Sequence, residues 1–191
     1  MPHSEHIDAC ANPSPRTFDL RPHPATPAPT SAAVTVRITP GGNGLLLSYR
    51  LAVPRLHIPS PAAPARADDL WRRTCCELFI GEAGGEAYRE FNFSPSGAWA
   101  AYDFTAYRQS AACLPAGPAP SIRVRPGADA LDVDVALAAA WLASAVSQRI
   151  GLSVVTETDD GTLACWALHH PSSRPDFHDA AARTITLDIS A

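Results

Sequence analysis

A tryptophan, two arginines and a glutamate stand close together in residues 71–80, WRRTCCELFI. If this segment is extended, Trp71, Arg73, Cys75, Glu77 and Phe79 share one face, because side chains alternate along a strand. Arg72, Thr74, Cys76, Leu78 and Ile80 then share the other, and Leu78 and Ile80 mark it as core. The first face sets an indole, a guanidinium and a carboxylate in a row. That is poor core and a suitable sugar platform: the apolar face of a pyranose stacks on indole, and charged groups bond strongly to its hydroxyls. The bland alternative has Trp71 plugging a sheet edge and Arg73 paired with Glu77. Glu90, Asn92 and Ser94 form a second polar set, alternating with Phe91 and Phe93. The phenylalanines read as core. The polar set lies beside Glu77 if the two strands pair across GEAGGE. It is then either a solvated face or a group whose hydrogen bonds a ligand completes. Trp99, on the segment that follows, is a further candidate contact.

A third constellation is WALHHPSSRPDFHD, residues 166–179, with three histidines and two aspartates. Its spacing matches no recognised zinc pattern. A loop whose His and Asp side chains bond its own backbone, or a ligand, fits the residues better than a metal site does. Nucleophilic catalysis has little support, since no G-x-S-x-G is present. No G-x-G-x-x-G or P-loop pattern appears. Glycoside hydrolysis, with Glu77 as one carboxylate, would need a second acid facing it across a cleft, and spacing alone does not place one.

The elements that must position these residues read as strands throughout. Residues 71–108 form a three-stranded meander, roughly 70–80, 87–93 and 98–107, turned by GEAGGE and SPSG; it holds two of the four tryptophans and three of the four tyrosines. Upstream, residues 16–20 give a short strand, and 33–39 and 45–53 pair across Gly41-Gly42-Asn43-Gly44, a strong hairpin turn. Residues 54–69 form a long proline-rich loop of the kind that often rims a site. Downstream strands fall at 121–125, 131–137, 150–158, 162–169 and 183–189, with one or two helical turns expected over 138–148. About ten short strands with regular turns predict an all-β antiparallel sandwich of immunoglobulin or jelly-roll type. Residues 1–15 read as a disordered lead-in, and 16–191 as one domain.

At 191 residues the chain can bury a core without metal or disulfide support. A net charge of −4 and a pI near 5.9 argue against a nucleic-acid partner. The five cysteines are odd in number and lack C-x-x-C spacing. Cys75 and Cys76, adjacent on a strand, point apart, so buried reduced thiols and a reducing, cytoplasmic setting are expected. No signal-peptide pattern opens the chain, and its most apolar window, 136–146, is too short to span a bilayer.

Three stretches, LWRRTCCELFIG, YREFNFSPSGAWAAYDFTAYR and WALHHPSSRPDFH, together resemble the bacterial DOMON-like proteins. These are similar to carbohydrate-binding module family 9 and to the haem-binding cytochrome domain of cellobiose dehydrogenase. The resemblance implies a β-sandwich with a ligand site on one face, and a non-catalytic module that binds a carbohydrate or sugar derivative is the function expected. In the carbohydrate-binding relatives two aromatic rings hold a terminal sugar, with a Glu, a basic residue and an Asn. Trp71 and Glu77 correspond to the first aromatic and the Glu. The basic position falls near Asn92. The second aromatic corresponds to Phe177, with Trp166 just before it, and His169, His170 or Asp176 stands where the Asn is missing. His178 is a further candidate ligand contact in the same loop, and with His169 and His170 it is a candidate for the haem or metal alternative. The haem relatives use Met and His; Met1 is the sole methionine, so haem would require the histidines of the last loop.

Overall fold

The computed structural model describes residues 14–142 and 147–188. The lead-in expected over 1–15 lies almost wholly outside them, as does part of the helical stretch expected over 138–148. Twelve strands are found among the described residues, all paired antiparallel. They are β1 Arg16–Pro22, β2 Ala33–Gly41, β3 Gly44–Ala52, β4 Cys75–Glu82, β5 Tyr88–Phe93, β6 Trp99–Ala106 and the two-residue β7 Gln109–Ser110; β8 Ser121–Pro126, β9 Leu131–Ala138, β10 Ser147–Glu157, β11 Leu163–Ala167 and β12 Ile185–Asp188 follow. Three single 3-10 turns, at Leu70–Arg72, Ala139–Trp141 and Ala180–Ala182, are the helical elements. The all-β sandwich anticipated from alternation is the architecture observed, with two more strands. No helix of the described residues is long and apolar enough to cross a membrane.

One sheet runs β1-β2-β3-β9-β8 and the other β7-β6-β5-β4-β10-β11. β1 belongs to both: Arg16 to Leu20 pair with β2, and Arg21 and Pro22 pair with β11. β10 has β4 on one side; on the other it pairs first with β12 and then with β11.

Alternation decides the core. Val34, Val36 and Ile38 of β2 and Leu45, Leu47, Tyr49 and Leu51 of β3 pack inward, with Val133 and Val135 of β9. From the second sheet come Cys76, Leu78 and Ile80 of β4, Phe91 and Phe93 of β5, and Leu152 and Val154 of β10. Gly44 closes the β2–β3 hairpin at φ 128°, where a side chain would run into the Leu137 carbonyl. Cys75, Cys76, Cys113 and Cys165 are free thiols. Burial raises the Cys75 and Cys76 thiols well above their ordinary range, so both stay protonated and unreactive.

Candidate functional site

The site is built on the outer face of the second sheet, opposite the core. Because Glu77 pairs with Asn92 and Phe79 with Glu90, the off-core residues of β4 and β5 stand side by side. Tyr102 of β6 is opposite Glu90, and Phe104 is opposite Tyr88. On the other flank Ser153 of β10 faces Glu77, and Cys165 of β11 faces Val155. Two acids and several rings therefore form a floor in the middle of a sheet, with the Asn92 amide beneath them. Loops wall it in: Asp68, Asp69 and Trp71 precede β4, Arg108 follows β6, and Arg174, Pro175, Phe177 and His178 come from the loop before β12. The open cleft they border measures about 870 Å³.

Glu77 is 2% exposed, at the bottom of the cleft. Ser153 Oγ donates to its Oε2 at 2.8 Å, and among the described residues no other donor reaches the carboxyl. Tyr49, from the opposite sheet, donates across the core to the Glu77 carbonyl at 2.9 Å. Glu90 accepts from Asn92 Nδ2 at 2.7 Å. Glu77 and Glu90 are diagonal neighbours on adjacent strands, about 7–8 Å apart at Cα. Burial first, and then the Glu90 charge, pushes the Glu77 carboxyl well above the usual carboxylate range; burial also raises Glu90. Around the pair, the thiols of Cys75, Cys76 and Cys165 and the phenols of Tyr49 and Tyr102 are all held in their neutral forms by burial.

His178 leans over this floor. Its ring meets Phe79 and Phe104 edge-on, with centroids at 5.4 and 5.0 Å. The Tyr88 hydroxyl accepts the Arg108 backbone N–H at 3.2 Å and is hydrogen-bonded to His178 Nδ1 at 2.8 Å. Its Nε2 lies 3.7 Å from Glu90 Oε2. Burial, with Arg108 nearby, lowers His178 to about 4, so its ring is neutral at physiological pH. Asp176 braces the wall. It accepts from Tyr107 at 2.6 Å, from the Arg108 guanidinium at 3.0 Å and from the His178 backbone at 3.1 Å.

Trp71 departs from its expected position. β4 begins at Cys75, and Leu70–Arg72 is a 3-10 turn entered through Asp69 in the left-handed region at φ 61°. Trp71 reaches the cleft from its rim, 48% exposed, with Arg72 over the indole at 5.1 Å. Arg73, also off the strand, turns away from Glu77 and donates to Glu157 Oε1 at 2.6 Å. Among the described residues the other Glu157 oxygen is buried without a partner, and Arg73 does not line the cleft. Because Arg73 is largely exposed, Arg73→Ala is expected to cost about 0.5–1 kcal/mol, read as a lower urea midpoint, with ligand affinity unchanged.

Other expected contacts also move. Asn92 is fully buried behind Glu90; it holds that carboxylate and accepts weakly from Cys75 Sγ at 3.6 Å. Trp166 lies in the core, 2% exposed, with its Nε1–H on Thr156 Oγ1 at 2.9 Å. Trp99 alternates onto the core side and packs against Trp141. His169 is exposed outside the cleft. His170 bonds the Arg21 carbonyl at 2.8 Å and meets His23 edge-on at 4.7 Å. The histidines of the last loop are thus engaged separately. Among the described residues no group of three or more His, Cys, Asp or Glu could hold a metal ion. Tyr102, Phe104, Arg108 and Arg174 were not expected in the cleft, whereas Phe79 and Glu90 lie on the two polar faces read from the sequence. Period-2 alternation places Phe79 and Glu90 there once Glu77 is fixed; the loop residues carry no such signal.

Two solved structures share this architecture. The fold is shared with a carbohydrate-binding module of family 9. That module, from Caldicellulosiruptor kristjanssonii and solved in complex with cellotriose, superposes with a TM-score of 0.53 at 12% identity, over 80% of this chain and 72% of its own. A candidate carbohydrate-binding protein from Bacteroides uniformis ATCC 8492 superposes with a TM-score of 0.60 at 17% identity, covering 88% and 83% of the two chains. No family model and no curated protein sequence matches the chain.

Proposed function

We propose that the protein is a non-catalytic carbohydrate-binding module that takes a sugar into the cleft above Glu77. The observation that carries this reading is one buried carboxyl, Glu77, at the bottom of a cleft of about 870 Å³ that Trp71 and Phe177 also line. Aromatic faces stack on the C–H face of a pyranose, and a buried carboxyl aims strong hydrogen bonds at its hydroxyls. The fold shared with two carbohydrate-binding proteins supports the reading. In it Trp71 and Phe177 form the walls, Glu77 and Glu90 fix the ring orientation, and Asn92, Asp176 and Tyr88 hold those groups in place. Kinship with the DOMON-like proteins and a reducing cellular setting belong to the same proposal.

A thermal-shift screen of mono- and disaccharides tests it. A sugar at 100 times its dissociation constant adds about 2.7 kcal/mol of stability. That is a shift of roughly 2–4 °C or more for each kcal/mol in a domain of this size. No shift with any sugar at millimolar concentration would remove the proposal.

A further inference from the structure

Among the described residues neither acid of the floor is ion-paired with an arginine. Among the described residues no arginine or protonated histidine pairs with Glu77, whose one hydrogen-bond donor is Ser153. Glu90 is met by the amide of Asn92 and, at 3.7 Å, by the Nε2 of His178. Arg108 lies near enough to draw the Glu90 carboxyl down, but its hydrogen bonds go to Asp176; Arg66 is bonded to Asp68 and Arg72 to Asp69. Arg174 stands exposed at the rim, where water and salt screen it from the floor. Neutral hydroxyls can bond to buried carboxyls but cannot offset their charge, and a buried charge without a counter-charge is costly.

The lining above the acids has the same preference. Trp71, Phe79, Tyr102, Phe104 and Phe177 border the space over Glu77 and Glu90. The faces of such rings attract cations by their quadrupoles, most strongly away from water. One ligand type answers both features: an apolar pyranose face to stack, with a positive charge in place of one hydroxyl.

Resting on the carbohydrate reading, we infer that the preferred ligand is an amino sugar, a pyranose bearing a primary ammonium that sits between Glu77 and Glu90. The ammonium donates hydrogen bonds to both carboxylates, and no covalent step is involved. An ammonium also favours the ionised pair, so its binding releases protons that the empty site retains. His178 and Asp176 keep their protonation states, and the surrounding thiols and phenols stay neutral.

Calorimetric titration at neutral pH compares four β-1,4-linked disaccharides: cellobiose, its 2-amino-2-deoxy counterpart, the N-acetylated form of that amine, and a glucuronate-containing analogue. The amine is expected to bind roughly 10-fold tighter than cellobiose or more, from one charge-assisted contact. Acetylation, which removes the charge, should abolish that advantage, and so should Glu90→Gln in the protein. Titration heats for the amine should vary with the ionisation enthalpy of the buffer, and those for cellobiose should not. If cellobiose binds as well as the amine, or the glucuronate binds best, the inference falls while the carbohydrate reading stands. If none of the four binds, the inference falls, and the thermal-shift screen decides the carbohydrate reading. Should Glu90→Gln fail to fold, the amine against its acetylated form decides the matter with the native protein.

Discussion

Glu77→Gln is expected to make the empty protein more stable and its sugar binding weaker. The carboxyl lies in the sheet floor with a single donor and with Glu90 as its neighbour. Its folded pKa is raised above the unfolded value of roughly 4.3. The folded state therefore holds a proton that the unfolded state has lost. Stability is then greatest below the unfolded pKa and falls as pH rises from there through the raised folded value. Glutamine keeps the shape and still accepts from Ser153, but it has no charge to desolvate. The gain is on the order of 1–3 kcal/mol at mildly alkaline pH and vanishes in acid. At mildly alkaline pH, where the carboxyl is ionised, the same change removes a charge-assisted bond to the ligand, at about 1.5–3 kcal/mol, or roughly 10- to 150-fold in affinity. Urea unfolding across pH, with and without sugar, measures both effects. A variant with the same pH slope as the native protein would show that Glu77 ionises freely, and the account of the floor would be wrong.

Trp71→Ala is expected to weaken binding by about 5- to 150-fold through loss of a stacking surface worth roughly 1–3 kcal/mol. It should leave the denaturation midpoint nearly unchanged, since the indole is half exposed and makes no core contact. Trp166→Phe is the control with the opposite signature. That ring is buried and bonded to Thr156, so its loss should cost about 1–3 kcal/mol of stability and spare affinity. Retained affinity in Trp71→Ala would move the sugar away from the rim. Emission spectroscopy offers a second readout, because Trp71 is the tryptophan a ligand in the cleft would touch.

These residues also show what the sequence could disclose. The Glu77 and Asn92 register follows from alternation and a short turn, since slipping by one residue would have put Phe91 and Phe93 on the outer face. The buried positions of Leu78, Ile80, Val133 and Val135 follow from the same period. Trp71 obeyed no such rule. The chain breaks from extended geometry at Asp69, and nothing in WRRT signals that the strand waits until Cys75. Trp166 and Trp99 stood near the right motifs but alternate inward. Side choice in β11 and β6 is set by register with β10 and β5, which are partners that local sequence does not number. His169 and His170 drew notice by type, yet the loop path sends them past the cleft, whereas His178 is turned into it by Tyr88 and Asp176.

The division of β1 between two sheets has a mechanical result. A simple sandwich is two plates that can shear, since side-chain packing alone resists their sliding. Here the main chain of one strand is hydrogen-bonded into both plates, and a displacement along the strands must break that seam. β11 and β10 stand between the seam and β4. The acids of the floor are therefore fixed to a stiff plate at constant depth, and the parts that can yield to a ligand are the wall loops around it. Such a site loses little freedom when it binds, so more of each contact appears as affinity. It should also discriminate by ring substituent more sharply than by chain length, because the rim can adjust to a longer ligand while the floor cannot.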